Sequence, residues 1–130
     1  MIVGIGVDLV DLARIAAIWN THGDRFLSRV LTAAERQALD ERPQATRRAH
    51  LAGRFAAKEA AMKALGYGFG RVRFTDIELT ATRNVVPTQP PALAFHGAAA
   101  RIAAARGVVH AHVSLSHGEA HAVAYVVLER

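Results

Sequence analysis

The sequence predicts an α+β fold in which helices pack on a mainly antiparallel sheet. Some segments repeat apolar residues at helical spacing and others alternate apolar with polar residues, so both kinds of element are expected. These elements do not follow the regular strand-helix-strand order of parallel sheets, which favours α+β. With 130 residues, the chain has the length of one domain. We therefore expect a single domain over residues 1–130.

The first third of the chain predicts a strand followed by helices. Ile2–Val10 is rich in β-branched residues, and its two glycines allow another backbone to approach closely. Asp11 is expected to cap a helix that ends at Gly23. The apolar residues of that helix recur at helical spacing: Leu12, Ile15, Ile18 and Trp19. A linking turn should then carry Phe26, Leu27, Val30 and Leu31. Thr32 and Glu35 have the spacing of a capping box, which predicts a short helix after them.

The longest helical signal runs over Thr46–Leu65, an alanine-rich segment that Gly66 should terminate. Its apolar stripe consists of Leu51, Phe55, Met62 and Leu65. Lys58 falls within that stripe and Glu59 at its border. A charge in such a position is costly unless it is paired or functional, so both side chains need a partner or a role.

The second half of the chain predicts mainly strands. A glycine-rich loop over residues 66–70 precedes an alternating segment, Phe74–Thr82, that is typical of a half-exposed strand. Three further strands and one helix complete the expected set: strands over Ala92–Phe95, Val109–Ser116 and Ala120–Leu128, and a helix over Gly97–Arg106.

The composition excludes several classes of protein. Hydrophobic residues make up 52% of the chain, which is too many for a disordered tail. The absence of cysteine excludes a disulfide scaffold and a thiolate nucleophile, and is compatible with the cytoplasm, where we expect the protein. No apolar run has the length of a membrane span, and the first residues do not resemble a targeting segment. A net charge of +5 favours an anionic partner.

Two carboxylates are candidates for a metal site. Asp8 lies near the end of the first strand and Glu59 on the long helix. If the fold brings them together, they form a hard oxygen site suited to Mg²⁺ that also binds substrate phosphates. The alternative is structural, with Asp8 turning the chain and Glu59 pairing with Lys63 at i,i+4 on the helix surface.

A basic group on the same helix is a candidate phosphate site. Arg54, Lys58 and Lys63 precede the glycine-rich loop, and positive charge beside such a loop can hold a pyrophosphate. A solvated basic face with a glycine helix stop explains the pattern equally well. The chain has neither a Walker motif nor a complete dinucleotide fingerprint.

Histidines near the end of the chain suggest a third possibility. His110 and His112 lie on one face of a predicted strand, as metal ligands can. Ser116 and His117 suggest an acyl-transfer pair. Neighbouring residues of a strand point to opposite faces, however, so these two side chains are poorly placed to bond each other. A zinc site is the minor alternative here.

Three segments resemble those of the holo-acyl-carrier-protein synthase family, in the same order and at similar spacing. They are residues 5–15 near the start, residues 52–66 on the long helix, and residues 113–117 near the end. The resemblance covers essentially the whole chain. It implies an α+β fold of the 4′-phosphopantetheinyl transferase type and an Mg²⁺-dependent enzyme, which moves phosphopantetheine from coenzyme A to a serine of apo-acyl carrier protein in fatty acid biosynthesis. Adenosine 3′,5′-bisphosphate is the expected second product.

The resemblance also assigns roles by position. Asp8 and Glu59 correspond to metal-binding carboxylates, and Lys63 lies beside the reacting phosphate; these three are the expected catalytic residues. The expected coenzyme A contacts are Arg54, Lys63, Gly66 and His117. Carrier-protein docking is expected at Arg14 and Arg25. A homotrimer with sites between neighbouring subunits is implied as well, and no nucleic acid or membrane partner is expected.

The implied chemistry needs no covalent nucleophile of the enzyme's own. Displacement at a pyrophosphate depends on charge neutralisation and in-line positioning, and Glu59 is the preferred base for the incoming serine. One departure from the family pattern is the segment Thr88–Pro91, where family members often have a Gly-Lys-Pro turn. A non-catalytic nucleotide or nucleic-acid binding module is the alternative from another class.

Overall fold

The strands form two antiparallel sheets, and helices cover one side of the larger. A computed structural model describes residues 1–66, 70–80 and 90–130. Its elements in chain order are β1 (Ile2–Asp11), α1 (Leu12–His22), α2 (Asp24–Val30), α3 (Ala33–Asp40), α4 (Gln44–Leu65), a 3₁₀ turn (Phe74–Asp76), β2 (Ile77–Thr80), β3 (Ala92–Phe95), α5 (Gly97–Ala105), β4 (His110–His117) and β5 (His121–Glu129).

The larger sheet has the order β1-β5-β4, with both pairs antiparallel. The second sheet is the antiparallel pair β2-β3. This confirms the predicted α+β class. Asp8 lies inside β1, opposite Ala124 of β5, and not at the end of the strand.

Helix α4 packs directly on β1, and two glycines allow it. A Cβ atom added to Gly4 would lie 2.1 Å from the carbonyl oxygen of Ala64, and one added to Gly6 would lie 1.8 Å from that of Ala60. The helix side of this contact is lined by alanines that are fully buried or nearly so. Strand and helix backbones therefore approach closely along the stretch that carries Asp8 and Glu59.

The segment predicted as a linking turn is a helix, so that prediction was wrong. Gly23 ends α1 with a positive φ of 54°, a conformation that glycine adopts without steric cost, and α2 begins at the next residue. Leu27 and Val30, three residues apart, are the buried residues of α2. Tertiary burial of this pair, together with Asp24 in the first turn, accounts for a helix of only seven residues.

Capping residues were predicted for two helices, and the two side chains behave differently. The capping box of Thr32 and Glu35 is present in full at the start of α3. Asp11 occupies the N-cap position of α1, but its side chain makes no capping hydrogen bond. It pairs instead with His121, whose Nε2 lies 2.8 Å from the Asp11 carboxylate.

The remaining elements agree in type with the prediction, but they begin or end at different residues. The expected strand Phe74–Thr82 is a 3₁₀ turn followed by β2, and the described part of that strand ends at Thr80. The predictions for Gly68, for residues 81–82 and for Thr88 and Gln89 fall outside the described residues. None of the described helices combines the length and the apolar character that a membrane span requires.

The face of the large sheet away from α4 is not covered by any described element of the chain. Four large apolar side chains project from it: Ile5, Val7, Leu9 and Tyr125, with relative exposures of 52%, 50%, 64% and 45%. Such a contiguous apolar surface is uncommon on a monomeric protein.

Candidate active site

Asp8 faces α4 because side chains alternate along β1. Gly4, Gly6 and Asp8 lie on the helix side of the strand, and Asp8 is only 8% exposed. The Lys63 ammonium lies 3.0 Å from Asp8 Oδ1 and also donates to the backbone carbonyl of Val7 at 3.0 Å. Asp8 Oδ2 is buried and has no hydrogen-bond donor among the described residues while Glu59 is ionised. Because Asp8 lies within β1, the alternative in which it caps or turns the chain was wrong.

Glu59 lies on α4 against the same carboxylate. Burial and the neighbouring charge and hydrogen bond of Asp8, in that order, raise the pKa of Glu59 to about 7, while Lys63 and Arg14 oppose the shift. Two ionised carboxylates repel each other and neither can donate. The pair therefore favours either a shared proton or a bound cation.

The donor set fits a hard divalent cation. Asp8 and Glu59 are oxygen ligands, and the unpaired Oδ2 of Asp8 is a buried acceptor with no other partner among the described residues. The described part of the chain contains no group of three acidic, histidine or cysteine side chains that could hold a metal. Mg²⁺ commonly uses one or two carboxylates and completes its shell with water and substrate phosphates. Asp8 and Glu59 could hold such an ion.

Lys63 links the two elements of this site. It is on α4, one turn after Glu59, and it forms an ion pair with Asp8 of β1. Its side chain remains 57% exposed, so the ammonium is accessible to an anionic ligand. Arg14 also acts on Glu59 electrostatically from α1. The site thus combines two carboxylates with two nearby cations.

A basic cleft lies between the first half of α4 and the end of β4. It has a volume of about 880 Å³, and both Arg54 and His117 line it, as does Gly53. Burial is the main cause that lowers the pKa of Arg54 from its usual value. Arg54 and His117 therefore face one cavity, although 63 positions separate them in the chain (117 − 54). Both were expected to contact the same ligand.

Three further basic side chains line this cleft and were not predicted from the sequence: Arg42, Arg48 and His50. Burial, then the charges of Arg54 and Arg42, lower the pKa of His50 to about 3, so it is neutral at physiological pH. The only sequence signal was a high density of basic residues before and within α4. That signal does not reveal which side chains face a common cavity.

The two predicted docking arginines lie at different places. Arg14 is exposed on α1 and near Glu59, whereas Arg25 lines a separate cleft of about 830 Å³ between α1, α2 and the 3₁₀ turn. The cleft also has an apolar wall and one more arginine: Phe26, Arg29, Val30, Phe55 and Phe74. Ile18 of α1, one turn after Arg14, lines it too. The sequence indicated these apolar residues only as parts of helices, a turn or a strand, and it did not predict that they and Arg29 line one cleft.

Gly66 ends α4 in the left-handed conformation, with φ of 80°. Arg106, which the sequence did not single out, donates to the carbonyl oxygens of Ala64 and Val3. Its guanidinium therefore ties the end of α4 to β1, close to Gly66. No described contact tests the expected role of Gly66 toward a ligand.

The histidine alternative gains no support from the described residues. His110 and His112 are adjacent on β4, with ring centroids 6.3 Å apart, and His112 lies 3.6 Å from Glu129. These side chains do not form a metal-binding group of three within the described chain.

Comparison with known proteins identifies the family of the chain. Residues 4–126 match the model of the 4′-phosphopantetheinyl transferase superfamily. The holo-[acyl-carrier-protein] synthase of Nitratidesulfovibrio vulgaris Hildenborough is 48% identical over 130 residues, covering 99% of each chain.

Solved structures give the same result. The holo-[acyl-carrier-protein] synthase of Neisseria meningitidis superposes with a TM-score of 0.86 at 33% identity, covering 100% of both chains. The synthase of Bacillus anthracis, solved in complex with CoA (3′,5′-ADP), superposes with a TM-score of 0.77 at 37% identity, covering 98% of this chain and 96% of that one. The chain belongs to the 4′-phosphopantetheinyl transferase superfamily, within the holo-[acyl-carrier-protein] synthase family.

Proposed function

We propose that this protein transfers the 4′-phosphopantetheine group of coenzyme A to a serine of apo-acyl carrier protein, in fatty acid biosynthesis. The serine oxygen forms a bond to the β-phosphorus, the bond from that phosphorus to the bridging oxygen breaks, and adenosine 3′,5′-bisphosphate leaves. The observation that carries the proposal is the contact of Asp8 and Glu59 beside Lys63. Such a site suits reactions at a diphosphate.

We propose that Asp8 and Glu59 hold Mg²⁺. When bound, the ion would neutralise charge on the diphosphate and favour departure of the leaving group. The buried, unpaired Oδ2 of Asp8 and the raised pKa of Glu59 support this assignment. Both features fit a pair of carboxylates whose charge Lys63 and Arg14 balance only in part.

Glu59 and Lys63 would have separate roles in the reaction. With a pKa near 7, the Glu59 carboxylate suits the role of a general base that takes the serine proton, directly or through one water. The exposed ammonium of Lys63 would neutralise charge that develops on the transferred phosphate. Its bond to Asp8 sets its position between strand and helix.

The basic cleft fits the nucleotide part of coenzyme A. Its arginines and His117 would bind phosphate oxygens by charge-assisted hydrogen bonds. Arg54, His117 and Gly66 remain our expected contacts, and Arg42 and Arg48 join them from the cavity lining.

The apolar cleft between α1 and α2 fits the docking of an acidic carrier protein. Arg25 and Arg29 line it against a single carboxylate, that of Asp24. The remaining positive charge would orient an acidic partner whose apolar residues fill the cleft. Arg14, on the same helix as Ile18 and near Glu59, would guide the serine toward the metal site.

We propose further that the enzyme is a homotrimer of single-domain chains in the cytoplasm. The uncovered apolar face of the large sheet supports association, and a chain without cysteine needs no oxidising compartment.

The direct test is incubation with coenzyme A, Mg²⁺ and an apo-acyl carrier protein, followed by mass measurement of the carrier. A gain of one phosphopantetheine group is expected. Asp8→Asn and Glu59→Gln keep the size of the side chains and serve as matched controls that should give little product while retaining the wild-type circular dichroism. Absence of product with the wild-type protein would overturn the proposal.

A further inference from the structure

Lys58 is a fully buried charge that the proposed reaction does not use. Its exposure is 0%, and its ammonium donates to three acceptors: the Val30 carbonyl at 2.6 Å, Glu35 Oε1 at 2.5 Å and the Phe74 carbonyl at 3.1 Å. An ammonium has three donors, and here all of them are used. The acceptors belong to α2, α3 and the 3₁₀ turn, so one side chain of α4 joins three other elements.

Its partner Glu35 is equally well satisfied. Glu35 is 4% exposed and accepts from the backbone amides of Thr32 at 2.9 Å and Leu79 at 3.0 Å. A buried ion pair of this kind is often no more stabilising than apolar residues of similar volume. Stability alone is therefore a weak explanation for this pair, and its geometry offers another.

Both carbonyls bound by Lys58 belong to residues of the apolar cleft. Val30 and Phe74 line that cleft together with Phe26 and Phe55. The Phe55 and Phe74 rings stack with centroids 5.2 Å apart, and the Phe26 ring is 6.2 Å from that of Phe55. The Lys58 ammonium thus holds two walls of the cleft, from α2 and the 3₁₀ turn, against α4.

The same turn of α4 carries the metal-site carboxylate. Phe55, Lys58 and Glu59 lie within five consecutive residues of the helix. One helical segment therefore carries a wall of the cleft, the buried ammonium and the metal-site carboxylate. We infer that Lys58 is a positioning residue that holds the walls of the carrier-docking cleft in the shape that binds the carrier protein. The inference rests on the proposed function, because it takes the cleft as the docking surface.

A positioning role differs measurably from a purely structural one. If Lys58 only stabilises the fold, its replacement lowers stability without a selective effect on one substrate. If it holds the cleft walls, the apparent KM for carrier protein rises while the KM for coenzyme A, bound elsewhere, stays unchanged.

The experiment uses the double variant Lys58→Met/Glu35→Gln of the full chain. Lys58→Met alone leaves the Glu35 carboxylate buried without its cation and is at risk of not folding. The double variant removes both charges, keeps the side-chain sizes, and still frees the Val30 and Phe74 carbonyls. Leu128→Ala, a core truncation on β5 outside the lining of either cleft, is the matched control for lost stability.

Both kinetic constants are measured for wild type and variants below their melting temperatures. The double variant should show about a tenfold higher KM for carrier protein, with kcat and the KM for coenzyme A within about twofold of wild type. The Leu128→Ala control should melt earlier and keep both KM values.

The outcomes separate the two proposals. Wild-type protein that makes no product contradicts the proposed transferase function itself. Active wild type with an unchanged carrier KM in the folded double variant overturns the role of Lys58 alone. Equal rises in both KM values, or a fall in kcat at unchanged KM, also overturn it.

Discussion

At the scale of single residues, the site places the carboxylates of Asp8 and Glu59 together beside Lys63 and Arg14. Asp8 contributes a buried oxygen with no donor among the described residues, and Glu59 is held next to it with a raised pKa. Lys63 compensates only part of this charge, since it binds the other oxygen of Asp8. The side chains are therefore arranged for a ligand more than for the stability of the empty protein.

Glu59→Gln should stabilise the metal-free protein at alkaline pH. The pKa of Glu59 is about 7 in the folded chain and about 4.3 when unfolded. The folded state therefore holds the proton more tightly, and its stability falls as pH rises from about 4 to 7. Above pH 7 Glu59 is ionised in the folded chain, and its charge lowers the free energy of unfolding by its full amount. The variant should then be more stable than wild type by about 1–3 kcal/mol.

Urea unfolding at pH 5 and pH 8 without divalent metal measures this effect. The gain from Glu59→Gln should be larger at pH 8 than at pH 5. An equal gain at both pH values would show that Glu59 titrates normally in the folded chain.

At the scale of elements, the contact of β1 with α4 sets the distance between the carboxylates. The two glycines of β1 bring its backbone against Ala60 and Ala64, and Arg106 bonds to both elements near the end of the helix. A small change in this packing should alter both stability and activity.

Gly6→Ala tests this contact. The added methyl group would lie 1.8 Å from the Ala60 carbonyl oxygen, so strand and helix must separate, at a cost of about 3 kcal/mol. We expect a lower melting temperature and a fall in kcat of at least about tenfold, since Asp8 moves away from Glu59. Ala105→Ser, which adds one atom at an exposed position of α5 outside the lining of both clefts, is the control. Equal behaviour of the two variants would contradict a role of this contact.

Arg25→Glu tests the docking cleft of α1 and α2. Reversing this charge should raise the KM for an acidic carrier protein by about tenfold at low salt, and the difference from wild type should shrink as ionic strength rises. Arg101→Glu makes the same charge change on an exposed position of α5 and should leave the KM near the wild-type value. Equal increases in this KM for the two variants would indicate that binding depends on the net charge of the enzyme and not on the charge at the cleft.

Local signals predicted most elements, and tertiary contacts account for the rest. The capping box at Thr32 and the long helix ending at Gly66 follow from nearby residues alone. Helix α2 has no such signal, since it depends on a glycine with positive φ and on burial of Leu27 and Val30. The partner of Lys58 is 23 residues away, which periodicity cannot specify.

The site was predictable only in part for the same reason. Asp8 and Glu59 were candidates by residue type, but their pairing rested on resemblance to a family, because 51 positions separate them (59 − 8). The basic cleft combines residues of α4 with the turn after β4, and no local pattern joins those two segments.

At the scale of the whole molecule, the large sheet has one face packed on α4 and one uncovered. The uncovered face carries Ile5, Val7 and Leu9 of β1 beside Tyr125 of β5. A second and third copy of the chain would remove this surface from water, which the hydrophobic effect favours. The uncovered face therefore supports the proposed association of chains.

Leu9→Glu should dissociate the oligomer. Leu9 is 64% exposed in the single chain, so the glutamate is tolerated by the monomer but not inside an apolar interface. Light scattering should give the mass of three 14.0 kDa chains for wild type and of one for the variant. Ala105→Glu, an exposed change on α5, is the control, and a monomeric wild-type protein would contradict the trimer.

We propose that Asp8 and Glu59 share one divalent cation. Electron paramagnetic resonance of added Mn²⁺, a spectroscopic substitute for Mg²⁺, measures this directly in the presence of coenzyme A. We expect one bound ion per wild-type chain and a loss of affinity of about a hundredfold or more in both Asp8→Asn and Glu59→Gln. Wild-type affinity in either folded variant would contradict the claim.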